Sequence, residues 1–272
     1  MAQLDDILVY PIKALDPVHL EHASFTDAGG LAGDRIYGIV DADGAYIHGK
    51  RTAAVHRLHS EFDLDSHHLT LTTLSSTTQH EFDLQRQQEE LEAWLSDYFE
   101  TSAHLEHETG GKQTDGALYT DASETGPTLV SAATVREVAS WFEGIAPPEM
   151  LLRIRPNLVV SGVPAFWEDK LLTGDGGTVE IGDVVLRGVT SVPRCVVPVR
   201  DPQTGEEYER FREIFVERRE ETLPEWADEE LLDDNLFSLT TLTRVPRDER
   251  GRGQSMSVGD SVQITTPVSD AQ

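Results

Sequence analysis

Cysteine is almost absent from this chain of 272 residues: Cys195 stands alone. One thiol excludes an intramolecular disulfide framework, and it cannot hold an iron–sulfur cluster. Lysine is nearly as scarce, with only Lys13, Lys50, Lys112 and Lys170. In all, 22 basic residues face 49 acidic ones, for a formal net charge of −27. Counterion-release binding needs basic patches, so nucleic acids and anionic membranes are excluded as expected partners. No apolar run approaches the ~20 residues that span a bilayer. The first six residues have neither the basic start nor the apolar core of a secretory signal, so the expected location is the cytoplasm. P-loop, G-x-G-x-x-G, G-x-S-x-G and H-E-x-x-H patterns are also missing, which removes support for nucleotide hydrolases, Rossmann dehydrogenases and zincins.

What is present in excess is acid. Repulsion among surface carboxylates weakens as the screening length shortens. Lysine poverty beside so many Asp and Glu residues suits a salt-accumulating cytoplasm, and a haloarchaeal origin is the expectation. Apolar residues make up 38% of the chain, lean but enough for a sizeable core.

Strands are expected over residues 4–10, stopped by Pro11, and over 36–40. A turn at Asp41-Ala42-Asp43-Gly44 then leads into a hairpin partner over 45–48. Alternation marks further strands at 69–73 and 81–84. Leu91, Trp94, Leu95 and Tyr98 fall at helical spacing within 86–100. The glycine-rich stretch 109–116 reads as the domain boundary. Ser131 is placed to cap a helix whose inner face is Val135, Val138, Ala139 and Phe142, ending near Gly144 before Pro147-Pro148. Strands follow over 152–161, 178–181, 184–189 and 195–199, then a helix over 208–220 and strands over 239–245 and 261–265. Many short strands with few helices predict a mainly β (α+β) architecture of barrel or sandwich type. The domains are expected at 1–115 and 120–266, with a disordered tail at 267–272.

Cys195 has two readings: a small buried hydrophobe, or a soft ligand or nucleophile that Arg194 keeps ionised. A thiolate suits molybdenum, copper or zinc, and zinc is disfavoured because no further Cys or His lies near in sequence. Alternation along 152–161 puts Arg153 and Arg155 on one strand face, joined by Asn157. Such a group suits a phosphate or polar heterocycle, or it neutralises an acidic surface. Lys13 and Asp34-Arg35 place further cations in Pro- and Gly-punctuated loops. The pairs His56/His59, His67/His68 and His104/His107 lack a third ligand and read as solvated surface. Phe166-Trp167-Glu168-Asp169 is either a ring-anchored, acid-capped loop or part of a pocket wall.

Taken in order, Tyr10-Pro11-Ile12-Lys13, Gly33-Asp34-Arg35, Arg155-Pro156-Asn157, Glu168-Asp169, Ile181-Gly182, Arg194-Cys195 and Asp201-Pro202-x-Thr204-Gly205 resemble the MOSC family, the molybdenum cofactor sulfurase C-terminal domain proteins. The likeness covers nearly the whole chain, including the family's N-terminal β-barrel partner domain. It implies two β-rich domains, an N-terminal β-barrel-like domain and a MOSC β-barrel domain with a few helices, holding a molybdenum cofactor between them. Cys195 would ligate the metal and act as the catalytic residue. Arg155, Asn157, Arg194, Lys13 and Arg35 would hold the pterin and its phosphate. Thr134, in the turn from Ser131 into its helix, matches a polar cofactor-contacting position. Family description also attaches pyridoxal phosphate binding.

The resemblance to amidoxime-reducing members implies reduction of N-hydroxylated or N-oxide small molecules, with electrons from a separate ferredoxin or flavoprotein. Departures from those members are Ala14 in place of serine, Pro193 before the Arg-Cys pair, and Thr240 where an aromatic residue is expected. Other members imply a different role, a cofactor carrier or a sulfur-transfer module with a persulfide on Cys195.

Overall fold

Burial along the first strand shows how the molecule is layered. In β1 (Gln3–Val9), Leu4, Ile7 and Val9 enter one apolar cluster and Leu8 enters another, so both faces of the strand are covered. In this computed structural model, residues 1–107, 126–172, 177–224, 227, 232, 235–246 and 255–265 are described. The loop expected at 109–116 and the tail at 267–272 lie outside them.

After β1 come β2 (Val18–His19), β3 (His22–Ser24), β4 (Tyr37–Val40), β5 (Leu58–Asp63), β6 (His68–Thr73), β7 (Gln79–Asp83), helix α1 (Gln88–Phe99) and β8 (His104–His107). The second half holds β9 (Thr128–Ser131), α2 (Ala132–Ser140), α3 (Pro147–Ile154), β10 (Leu158–Ser161), β11 (Thr178–Ile181) and β12 (Val184–Pro193). It ends with α4 (Phe211–Glu221), β13 (Ser238–Arg244), β14 (Ser255–Ser257) and β15 (Val262–Thr265).

Eight strands form one sheet in the order β15-β11-β12-β13-β9-β10-β1-β2. Its ends curl together: Gln3 bridges Ser261, Leu4 N–H donates to Asp260 O (2.8 Å) and Val262 N–H to Ala2 O (3.0 Å). Closing a sheet this way removes its edges and encloses one apolar face. Leu4, Ile7, Leu129, Val160, Ile181 and Leu186 fill that interior. Outside it, α2, α3 and α4 cover a second cluster with Val138, Met150, Phe211 and Phe215, whose rings continue onto Phe237. The third cluster is built wholly from residues 12–105, where α1 buries Leu91 and Leu95 and packs against β7 and β8. Each such side chain contributes about 1.5–3 kcal/mol by leaving water.

Three sequence expectations need correction. Residues 45–48 form no strand: Tyr46 makes one bridge to Val40, and the ladder partner of β4 is β8, with Tyr37 opposite His107. The Asp41 carboxylate accepts from the Asp43 and Ala45 N–H groups (3.0 and 2.9 Å), which curls the chain away after the turn. Residues 152–154 are helical, because Pro147-Pro148 opens α3 instead of closing α2. Proline at the first helical positions has φ preset and no amide to satisfy. Finally, residues 195–199 are not a strand. The ladder of β12 ends at Pro193, and Pro198, which has no N–H, sits in the tight helical turn Val197–Val199.

Candidate functional site

At one end of the barrel, where β12 runs out and β10 begins, the N-terminal unit closes over a cavity of about 560 Å³. Lys13, Arg35 and Lys50 line it from the N-terminal unit, and Arg153, Arg155, Arg194 and Arg200 from the barrel. Seven of the chain's 22 basic residues therefore meet here, with Asp16 as the one carboxylate among the described wall residues. Half-buried Cys195 is on the same wall.

Arg155 owes its place to the end of α3. It adopts φ 49°, a left-handed conformation that stops the helix, and Pro156 prevents its resumption. From there Arg155 Nη2 donates to Leu15 O (2.6 Å) and the guanidinium lies 4.0 Å from the centre of the Tyr10 ring. Arg35, also left-handed at φ 52°, approaches the same ring at 5.1 Å and pairs with Asp34. Burial, followed by the charge of Arg35 as an opposing cation, lowers the Arg155 pKa, while Tyr10 works against the shift. Tyr10 itself is fully buried, donates to Pro156 O (3.1 Å), and has its phenol held above the usual range by burial. Lys13 Nζ stands 4.5 Å over the Tyr46 ring.

Arg194 N–H takes the last bond of the strand end, to Phe237 O (2.8 Å). Its Nη1 donates to Ile154 O (3.0 Å), and Nη2 to Leu239 O and Thr240 Oγ1. Thr240, the position lacking the expected aromatic, has φ 69°, a costly conformation for a β-branched residue. Burial brings Arg194 down to about 10, opposed by Cys195, so it remains charged at neutral pH. Val197 N–H approaches Cys195 Sγ at 3.5 Å.

Asn157 also lines the cavity, but the polar groups of Arg153 and Asn157 are engaged within the fold. Arg153 is buried and committed to Glu149 (2.7 Å) and Pro198 O (2.9 Å). Asn157 Nδ2 donates to Leu8 O (3.0 Å), and its Oδ1 accepts from Thr128 N–H (3.1 Å), so its carboxamide ties β1, β9 and β10 together. Because Arg153 and Arg155 fall on a helix end and Asn157 beyond it, the shared strand face does not exist. Thr134 does not line the cavity. Its Oγ1 accepts from Phe166 N–H (2.6 Å) and meets Ser131 Oγ (2.8 Å), while Ser131 caps the Thr134 amide (2.9 Å). The helix start is thus satisfied internally.

Glu168 and Asp169 are also away from the cavity, under α4, where Asp169 pairs with buried Arg219. Burial and then the Asp169 charge raise Glu168 to about 7.

Sequence reasoning missed His48, His56 and Arg200 on the wall. His56 and His59 have the spacing of a ligand pair, yet His59 turns out toward Asp16 (3.7 Å) while His56 Nε2 is buried with no hydrogen-bond partner among the described residues. Burial, and then the charges of Arg200 and Arg155, lower the His56 pKa, favouring neutral imidazole. Only the buried Val55 beside it hinted at an inward turn. Among the described residues no three His, Cys, Asp or Glu side chains gather as a metal site, and no helix is long and apolar enough to cross a membrane.

A lone thiol in a cationic cavity between a barrel and an N-terminal β unit fits the sequence matches. Residues 1–103 match the MOSC N-terminal beta barrel domain and residues 127–263 the MOSC domain, and the chain belongs to the MOSC family. Among curated proteins it is similar to mitochondrial amidoxime reducing component 2 of Rattus norvegicus, 28% identical over 235 residues, covering 73% of this chain and 67% of the relative. The Bos taurus protein of the same name is 24% identical over 236 residues, covering 74% and 67%. Among solved structures, the YUAD protein from Bacillus subtilis aligns over 97% of this chain and 96% of its own at 12% identity, with a TM-score of 0.40.

Proposed function

We propose that this protein is a molybdenum-cofactor oxidoreductase that reduces N-hydroxylated or N-oxide compounds in the cytoplasm. The observation that carries the reading is a single thiol on the wall of a strongly cationic cavity in a chain of net charge −27. The wall fits an anionic group that brings its own soft ligands. Arg194 Nε is buried with no partner among the described residues, which leaves one donor on this wall for a ligand anion. A phosphate there would accept charge-assisted bonds. Pyridoxal phosphate, also associated with the family, would leave the thiol without a role.

Cys195 would ligate the metal, and Arg35, Arg155, Arg194 and Lys13 would hold the pterin and its phosphate. Asn157 acts one step back by fixing the strand starts behind Arg155. When bound, the cofactor supplies two-electron metal chemistry, the kind an N–O reduction requires. The protein's own part is to hold the ligand anions, present the thiol next to Arg194, and shield the site with the N-terminal unit. With one cysteine the chain holds no iron–sulfur cluster, so the electrons come from a separate ferredoxin or flavoprotein.

The test is metal analysis after expression in a host that makes the cofactor. About one molybdenum per chain, lost in Cys195→Ser, is the expected result. Half-burial of Cys195 also favours a second reading, persulfide carriage. Bound cofactor without N-hydroxylamine reduction by an artificial donor would select it. A protein without molybdenum and with an inert thiol would end both.

A further inference from the structure

The turn Asp201-Pro202-Gln203-Thr204-Gly205 has no part in the chemistry above, and its surroundings give it another. Asp201 Oδ1 accepts from the Gln203 and Thr204 N–H groups (2.9 and 2.8 Å), and Gly205 N–H closes on Asp201 O (2.9 Å), so the turn is held by its own first residue. At its end Gly205 has φ 77°, and a Cβ there would lie 2.8 Å from Ala53 O in the N-terminal unit. Just before it, Arg200 Nη1 donates to Gly49 O (2.8 Å) in the same unit, while its Nε and Nη2 share Glu207 Oε1 (3.3 and 3.2 Å). Gly49 has no space for a side chain either: a Cβ would lie 2.6 Å from His56 Nε2 and 3.3 Å from Val197 Cγ2.

We propose that Arg200 is a positioning residue, which with the close contacts at Gly49 and Gly205 sets the segment after Cys195 against residues 49–53 and so fixes the thiol relative to the N-terminal wall of the cavity. Arg200 suits the role because its side chain is only 16% exposed and its planar fork can hold Gly49 and Glu207 together. The consequence for a bound cofactor rests on the function proposed above. The latch itself can be tested without a cofactor.

Cys195 is the only thiol, so its alkylation by iodoacetamide in cofactor-free full-length protein reports its position directly. Losing a positive charge on the cavity wall does not by itself expose the thiol. Arg200→Ala should accelerate alkylation about tenfold or more, the mark of a released segment, and Arg200→Lys should restore most of the protection, since an ammonium can still donate to Gly49 O. Gly49→Ala should accelerate alkylation by displacing His56, and the double variant Gly49→Ala/His56→Ala should return toward wild type, as expected of two groups in contact. Unchanged or slower alkylation in both Arg200→Ala and Gly49→Ala overturns the latch. Equal acceleration in Arg86→Ala, an exposed ion pair that takes no part in this contact, also overturns it by indicating general loosening. In molybdenum-loaded protein, Arg200→Ala should shift the paramagnetic signal of the metal. Absence of molybdenum from wild type would fail the functional reading and leave the alkylation result to decide the latch.

Discussion

Two regions of this protein gather buried charge, and they do so in opposite ways. Beneath α4, Asp169 and Arg219 neutralise each other inside the fold, with Glu168 pushed toward its neutral form. In the cavity, Arg194 and Arg155 donate largely to backbone carbonyls, while Arg35, Arg153 and Arg200 on the same wall are paired with Asp34, Glu149 and Glu207. In the first arrangement the counter-charge of Arg219 comes from the protein itself, although Arg219 Nε and Nη1 make no hydrogen bond among the described residues. The second leaves Arg155 and Arg194 with no carboxylate partner among the described residues, and a ligand anion would supply their counter-charge. Buried arginine alone therefore says little about function; what decides is whether its counter-ion belongs to the protein.

The comparison is most easily broken at Asp169. Asp169→Asn leaves Arg219 buried without its charge, and removing one partner of such a pair costs about 3–5 kcal/mol. Urea unfolding should show that loss while ligand content per folded chain stays unchanged.

Glu168 sharpens the contrast through pH. Its folded pKa lies above the unfolded value of 4.5, so its contribution to stability is fully present below that value and lost as pH rises through about 7. Glu168→Gln should remove the loss, and the variant should gain on wild type between those pH values by about 1–3 kcal/mol. Parallel stability–pH curves for the two proteins would refute the assignment.

The smallest effect on folding is expected in the cavity. Arg155→Ala gives up a ring contact and one bond to Leu15 O, costing about 1–2 kcal/mol, and relieves repulsion from Arg35. Its main effect should be on retention of a phosphate-bearing ligand, at least about tenfold weaker by calorimetry or by cofactor loss on gel filtration. A stability loss as large as that of Asp169→Asn, with retention intact, would erase the distinction between the two regions.

Much of the fold was legible because short-range periodicity reports it. Leu91 and Leu95 marked α1, Val135 and Val138 marked α2, and alternation found β6 and β7. Segments with two valid local readings misled. Pro147-Pro148 can follow one helix or open another, and only the left-handed turn at Arg155 settles where α3 ends. Cys195 to Val199 is apolar enough for a strand, but Pro193 and Pro198 deny it a continuous ladder. At the site, motif order pointed to Lys13, Arg35, Arg155, Arg194 and Cys195, which the fold brings to one cavity. Thr134 matched a position in the motif and was taken by an internal cap. His56 and Arg200 depend on packing between the two units, which no local pattern encodes.

Strand β1 has one more consequence, for the order of assembly. It pairs with β10, Gln3 opposite Ser161, and with the stretch leading into β15. The barrel therefore cannot close until segments roughly 150 or more residues apart in the chain have met, and long loops of this kind make folding slow. As the chain is made, the edge of β1 that faces β10 stays unpaired through the synthesis of the whole N-terminal unit, with only β2 at hand on its other side. During that interval β1 is an open edge, and crowding by other nascent chains is the hazard it faces.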